Sequence, residues 1–321
     1  MSVLAVEDLR VRLRTPGGEV TVVDGVDYEV RPGEVFGVAG ESGSGKTISM
    51  LALLGLLPEG ALVGGTARFG GDDLLAMPRR RLRKISGREV AMVFQDPFTS
   101  LHPMLSVGRQ LTDHLRLHLN LGRAAAEARA VELLEEVRLP DPHAALGRFP
   151  HQFSGGMRQR IAIAIALACR PKLLIADEPT TALDVTVQAG ILQLLDRLRR
   201  EHDLAVILIT HDLGVLSGIA DRVGIFYAGR VVELGQREDV LQHPRHPYTR
   251  ALLDALPHPE LTKEHDLVAI PGTPPTPGRI PGGCAFHPRC KYAQDVCVAQ
   301  VPPLDPVDTR LLACHVDPFA A

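Results

Sequence analysis

Apolar and polar residues alternate through residues 3–14, where Val3, Val6, Leu9, Val11 and Leu13 are separated by charged side chains, and the pattern predicts a half-exposed strand. Thr15-Pro16-Gly17-Gly18 predicts a turn, and Val20 to Val30 resumes the alternation before Arg31-Pro32-Gly33 turns the chain again. Together these make a small, largely antiparallel N-terminal sheet. Glu34 to Ala39 reads as a buried strand and Ile48 to Leu54 as a helix. Pro58 to Gly65 is a break. Thr66 to Phe69 and Glu89 to Phe94 read as short strands, with a basic helical piece over Arg79 to Ser86.

The period then changes. Val107, Leu111, Leu115 and Leu119 recur every four residues, and 123–138 carries Val131, Leu134 and Val137 on one side, so 106–138 predicts a helical insertion. Ile161 to Ala168 alternates isoleucine with alanine at period two. Alanine's helix preference and the polar lead-in Gly155 to Arg160 favour a buried helix there. Lys172 to Asp177 and Ala205 to Thr210 read as buried strands around a helix over Val185 to Glu201, an order that implies a parallel sheet covered on both faces. A hairpin-like piece over Val231 to Leu234, a helix from His246 to Leu256, and a Pro- and Gly-rich linker over 257–283 complete the reading.

With 321 residues, 45% hydrophobic and 23% charged, the composition is that of an ordinary globular protein, and a net charge of -3 gives no global reason for nucleic-acid binding. The longest apolar runs fall far short of the roughly 20 residues needed to span a bilayer. No basic start followed by an apolar stretch marks a secretion signal, so the expected location is the cytoplasm, with membrane association only through a partner.

The chemistry is concentrated in a few short motifs and single polar residues. Gly40-Glu41-Ser42-Gly43-Ser44-Gly45-Lys46-Thr47 fits the phosphate-loop pattern G-x-x-x-x-G-K-[ST], between a strand and a helix as the motif requires. Its glycines let backbone N–H groups converge on phosphate oxygens, Lys46 would bind the β- and γ-phosphates, and the Thr47 hydroxyl would ligate Mg²⁺. The chain is therefore expected to bind a nucleoside triphosphate. Leu173 to Glu178 is an apolar strand ending in two carboxylates: Asp177 would hold Mg²⁺ opposite Thr47, and Glu178 would polarise a water in line with the γ-phosphate. Ser154-Gly155-Gly156 opens a helix and offers a second set of N–H donors, best used on a nucleotide held by another subunit. Gln95 and His211 end strands, and Asp184 lies six residues after Glu178.

In this order the motifs resemble the ATP-binding subunit of an ABC transporter over about residues 1–255. Phe153 to Arg160 resembles that family's signature, Thr181-Ala182-Leu183-Asp184 its D-loop, and Ile209-Thr210-His211-Asp212 its switch histidine. The resemblance implies an α/β fold: a P-loop NTPase core with an N-terminal antiparallel β-subdomain, a helical signature subdomain over about 96–168 within a 1–256 ATPase domain, and a cysteine-rich extension over 284–321. It implies a head-to-tail dimer with two ATP molecules at the interface, each held by Gly40–Thr47 of one subunit and by Ser154, Gly155, Gly156 and Asp184 of the other. His211 would touch the γ-phosphate. Gln95 would join Thr47 and Asp177 at Mg²⁺ and couple the nucleotide to a membrane partner. Two departures stand out: Met157 replaces the usual glutamine, and the turn matching the usual adenine-stacking aromatic holds Pro16, Gly17 and Gly18.

The tail narrows the resemblance. His243-Pro244, His246-Pro247-Tyr248-Thr249, the Pro-rich linker and then Cys284, Cys290, Cys297 and Cys314 resemble the C-terminal extension of oligopeptide/dipeptide importer ATPases. Four of the five cysteines crowd into this tail, which points to metal rather than disulfides in a reducing compartment. The resemblance implies a [4Fe–4S] cluster; the spacing alone fits tetrahedral Zn²⁺ equally, and four unligated thiols are the third alternative. Cys169 reads as a small core residue. The implied partners are a second, related ATPase subunit, two transmembrane permease subunits and an extracytoplasmic substrate-binding protein, with the chain peripheral on the cytoplasmic face. The implied cargo is a peptide. Nickel or another small solute, or a soluble ABC ATPase acting on ribosomes or DNA, is the alternative reading.

Overall fold

The computed structural model describes residues 2–96, 100–181, 183–256 and 269–320. The chain forms two compact units, one of Met1–Val3, Val30–Val35 and Ala76–Ile209, the other of Leu4–Glu29, Phe36–Leu75 and Thr210–Ala321.

In the first unit, the strands Val90–Val93, Leu173–Asp177 and Ala205–Ile209 lie side by side and parallel in that order. Every residue of the last two is buried, as their unbroken apolar runs require for a sheet covered on both faces. The helical insertion forms as Val107–Leu119 and Arg123–Glu136. Val107, Leu111 and Leu115 are fully buried, so three positions of the four-residue recurrence mark the packed face, whereas Leu119 at the helix end is exposed. Ile161 to Ala168 lies in and just beyond the helix Gly155–Leu167, not in a strand. Both its isoleucine and its alanine positions are largely enclosed, so no exposed face imposed a 3.6-residue period on the sequence.

The second unit holds two sheets. The N-terminal one runs Gly18–Val30, Leu4–Thr15, Leu62–Phe69 and Asp72–Asp73 in spatial order, with Leu4–Thr15 antiparallel to Leu62–Phe69. The expected break at Pro58 to Gly65 is shorter than predicted, because the strand begins at Leu62 and carries Gly64 and Gly65 within it. There the register shifts between Glu7 and Arg10, and Gly65 takes φ +90° so closely against Asp8 that an added Cβ would lie 2.3 Å from its carbonyl oxygen. The glycines mark a β-bulge rather than a loop. In the other sheet, Val35–Ala39 runs parallel to Arg222–Tyr227, which pairs antiparallel with Arg230–Gln236 through the two-residue turn Ala228-Gly229.

The tail is more ordered than its Pro and Gly content suggests. A 3-10 turn at His287–Arg289, a short helix Asp295–Ala299 and a hairpin of Asp305–Val307 with Arg310–Leu312 follow the linker. Leu312 and Leu311 pair with Glu233 and Leu234, so the hairpin extends the sheet. A buried ion pair fixes the junction: Arg310 donates to the fully buried Glu233 at 2.9 Å, and Glu233 also accepts from the backbone N–H groups of Arg245 and His246. Of the expected linker 257–283, residues 257–268 lie outside the described residues. No helix among the described residues is long and apolar enough to cross a membrane.

Candidate functional site

The phosphate loop is built by close backbone approach. Val35–Ala39 delivers the chain fully buried to Gly40, whose φ of +147° sets it so near Phe226 that a Cβ would lie 2.1 Å from that carbonyl oxygen. Gly45 caps the helix Lys46–Leu53 at φ +98°, 2.7 Å (as a virtual Cβ) from the carbonyl of Val22. Neither site admits a side chain. The turn at Gly229 supports the loop from beneath, giving its N–H to Ser44 O at 2.9 Å. Lys46 is buried, and its ammonium reaches Gly40 O at 2.7 Å, Glu41 O at 2.9 Å and Ser44 Oγ at 3.3 Å, so it curls back over the loop. Thr47, Ser42 and Gly43 are exposed. The result is a glycine-built loop at a helix start, folded around one buried cation, Lys46.

In the first unit, Asp177 ends its strand almost fully buried, and Glu178 follows at φ 46° with its N–H given to Ile209 O at 2.9 Å. A carboxylate in the left-handed region is a sparsely populated backbone state held by its surroundings. Two donors aim it. Gln95 Nε2 and Thr181 Oγ1 both bond Glu178 Oε2, at 2.7 and 2.9 Å. Ser154 caps the helix Gly155–Leu167 by accepting from Met157 N, and Asp184 caps Val185–His202 by accepting from Val187 N. The structure also brings these two helix starts together: a Cβ on Gly155 would lie 3.4 Å from Leu183 Cδ2, and one on Gly156 only 2.5 Å from Val187 Cγ1. Gly156 is thus required by packing, a role its place in the sequence motif does not reveal. His211, in the second unit, is exposed and precedes Asp212, which caps Leu213–Ile219.

Two residues that sequence reasoning did not single out, Arg289 and Tyr227, stand at the phosphate loop beside Tyr248. Arg289 forms a two-pronged ion pair with Glu41 at 2.7 and 2.9 Å and donates to Tyr227 Oη at 3.3 Å. The hydroxyl of Tyr248 accepts the Glu41 N–H at 2.8 Å. The bond to Glu41, against the opposing effect of burial, holds Arg289 firmly in its charged form. Tyr248 sits in the His-Pro-Tyr-Thr stretch, so that motif carried the only available signal.

Cys284, Cys290, Cys297 and Cys314 line one small pocket with His246 and Phe286, and all are free thiols. Burial pushes the Cys284 thiol up to about 11, and neighbouring cysteines push the same way; Cys290 and Cys314 are raised by burial too. Among the described residues, no three His, Cys, Asp or Glu side chains are gathered tightly enough to hold a metal ion. The four cysteines share a pocket, and the described residues show no formed ligand set for [4Fe–4S] or for Zn²⁺. Cys169, expected in the core, is only half-buried, just beyond the end of its helix.

Residues 23–181 match the ABC transporter family, and residues 232–297 match the oligopeptide/dipeptide transporter C-terminal region. The oligopeptide transport ATP-binding protein OppD of Escherichia coli is 48% identical over 314 residues, covering 98% of this chain and 93% of the relative. The chain belongs to the ABC transporter ATP-binding subunits. OppD of Bacillus subtilis is likewise 48% identical, over 94% of this chain and 85% of its own length. A dimeric structure of MJ0796, a bacterial ABC transporter cassette, superposes with a TM-score of 0.65 at 26% identity, covering 73% of this chain and 98% of that one. The cassette fold of the sequence reading stands, and with it the activity: this ABC subunit is an ATPase.

Proposed function

We infer that this ATPase energises the import of oligopeptides or dipeptides. The full-length likeness to oligopeptide transport ATP-binding proteins carries that reading, reinforced by the match of residues 232–297 to the matching C-terminal region. Residues 1–256 serve as the ATPase domain, with a helical subdomain over about 96–168, and 257–283 links it to the extension 284–321. Lys46 and the loop amides of Gly40–Thr47 hold the phosphates, and Thr47, Asp177 and Gln95 hold Mg²⁺. Glu178, aimed by Gln95 and Thr181, accepts a proton from the attacking water, while His211 steadies the γ-phosphate. Ser154, Gly155, Gly156 and Asp184 complete the site of a second, related ATPase subunit. ATP binding closes that pair and hydrolysis reopens it. The pair works from the cytoplasmic face on two permease subunits, to which an extracytoplasmic binding protein delivers cargo. Purification in detergent tests this: two multi-spanning proteins and a second cassette should accompany the chain, with ATP turnover raised by peptide-loaded binding protein. Turnover raised instead by nickel or another small solute would replace the cargo. Recovery with ribosomes or DNA would overturn the transport role.

The shared cysteine pocket supports a second reading, that Cys284, Cys290, Cys297 and Cys314 hold a [4Fe–4S] cluster once supplied with iron and sulfide. Four thiolates satisfy four irons, and a buried pocket keeps water from the sulfides. Anaerobically purified protein should be brown, with about four irons and four sulfides per chain. Stoichiometric zinc, or no metal, would reject it.

A further inference from the structure

The cysteine tail reaches the phosphate loop through one side chain. Arg289 lies next to Cys290 in the His287–Arg289 turn, and its side chain is 5% exposed. Both terminal nitrogens bond the carboxylate of Glu41, Nε bonds Pro271 O at 2.9 Å, and Nη1 also reaches Tyr227 Oη. Glu41 is the residue after Gly40 in the loop itself. Its N–H is taken by Tyr248 Oη and its carbonyl by Lys46 Nζ. One loop residue is therefore held at its side chain by the tail, at its N–H by the helix Pro247–Asp254, and at its carbonyl by the loop lysine.

The electrostatics give this contact a purpose. A carboxylate within a loop that binds a triphosphate repels the ligand, and a largely buried carboxylate is poorly screened by water and salt. A two-pronged guanidinium cancels that charge and fixes its position. We propose that Arg289 is a positioning residue for ATP binding: by neutralising and holding Glu41 it lets the phosphate loop accept a triphosphate, and so makes nucleotide affinity depend on the folded tail. The inference rests on the triphosphate-binding role of Gly40–Thr47. It goes further in making the extension part of the nucleotide machinery rather than an appendage.

Four full-length proteins test it: wild type, Arg289→Met, Glu41→Gln and the double variant, each titrated with a fluorescent ATP analogue and Mg²⁺. Arg289→Met exposes the ligand to an uncancelled carboxylate and should weaken binding about tenfold. Glu41→Gln leaves the cation unopposed and should tighten binding severalfold. The double variant, neutral at both positions, should return to within about threefold of wild type. Opposite signs for the two single variants are the signature of charge cancellation. A purely structural contact would weaken binding in every variant, and that pattern overturns the proposal, as does equal affinity in all four. If Arg289→Met does not fold, Glu41→Gln still decides by its sign. A wild type that binds no analogue would defeat the phosphate-loop role itself, a different outcome from wild-type binding that Arg289→Met leaves unchanged.

Discussion

Gln95 donates its side-chain amide to Glu178 across 2.7 Å, joining residues 83 positions apart at the ends of two strands of one parallel sheet. Thr181 donates to the same carboxylate oxygen, so Glu178 is held in one orientation before any nucleotide arrives. Glu178→Gln keeps the size and both contacts but removes the base. ATP binding should persist while turnover falls on the order of 10²- to 10⁴-fold, the span of general-base catalysis. Steady-state hydrolysis in the purified complex checks this, and ordinary turnover would remove Glu178 from that role.

Gly156 and Val187 meet where a Cβ would stand 2.5 Å from a methyl carbon. Gly156→Ala should therefore push the helix Val185–His202 away from Gly155–Leu167, costing about 1–3 kcal/mol through overpacking. Val187→Ala in the same protein should recover most of the loss. Thermal unfolding of the three proteins reports both effects; a Gly156→Ala protein as stable as wild type would show that the contact relaxes freely.

Glu233 is wholly buried and held by Arg310 and two backbone N–H groups. Arg310→Met removes the formal countercharge paired with that carboxylate among the described residues, and breaking a buried pair from one side costs about 3–5 kcal/mol. The hairpin Asp305–Val307/Arg310–Leu312 should detach first, because Arg310 also ties it to the carbonyls of Asp239 and His243. Faster amide exchange at Leu311 and Leu312, with a lower urea midpoint, is the expected readout.

His246 is 1% exposed, and burial pushes its imidazole down to about 3. Its Nδ1 accepts the N–H of Tyr248, which requires the neutral ring. The unfolded chain takes up this proton near the ordinary value of 6.5, and the folded chain resists it until about 3. Over that window the unfolded state binds more protons, so the stability contributed by neutral His246 is complete above about 6.5 and declines as the pH falls, by up to about 1.4 kcal/mol per pH unit. Urea midpoints at pH 7 and pH 5 should differ more for wild type than for His246→Asn. An identical pH dependence in the two proteins would exclude this histidine as its source.

Much of the fold and part of the site are local in origin. The eight residues Gly40 to Thr47 need only their own glycines and the flanking strand and helix, so their pattern is readable without any partner. The buried strands Leu173–Asp177 and Ala205–Ile209 are likewise legible, since a strand covered on both faces must be apolar throughout. Where the sequence misled, the reason was contact with distant chain. Gly64 and Gly65 suggest a loop until Asp8 is seen crowding the bulge they relieve. The helix Leu213–Ile219 and strand Arg222–Tyr227 went unpredicted, the first because it is short and the second because Arg222 and Gly224 interrupt its apolar run.

The sequence by itself determined that this chain is built to bind a nucleoside triphosphate beside a candidate catalytic carboxylate, because a phosphate loop and a carboxylate strand are made by neighbouring residues whose types the chemistry dictates. Only the tertiary structure decided how those residues are aimed. Glu178 and Gln95 are 83 positions apart, and Glu41 and Arg289 are 248 apart. No local pattern relates either pair, because a hydrogen bond across folded chain leaves no period or spacing in the sequence. The same holds for the four cysteines, whose shared pocket depends on a tail that folds back onto the sheet.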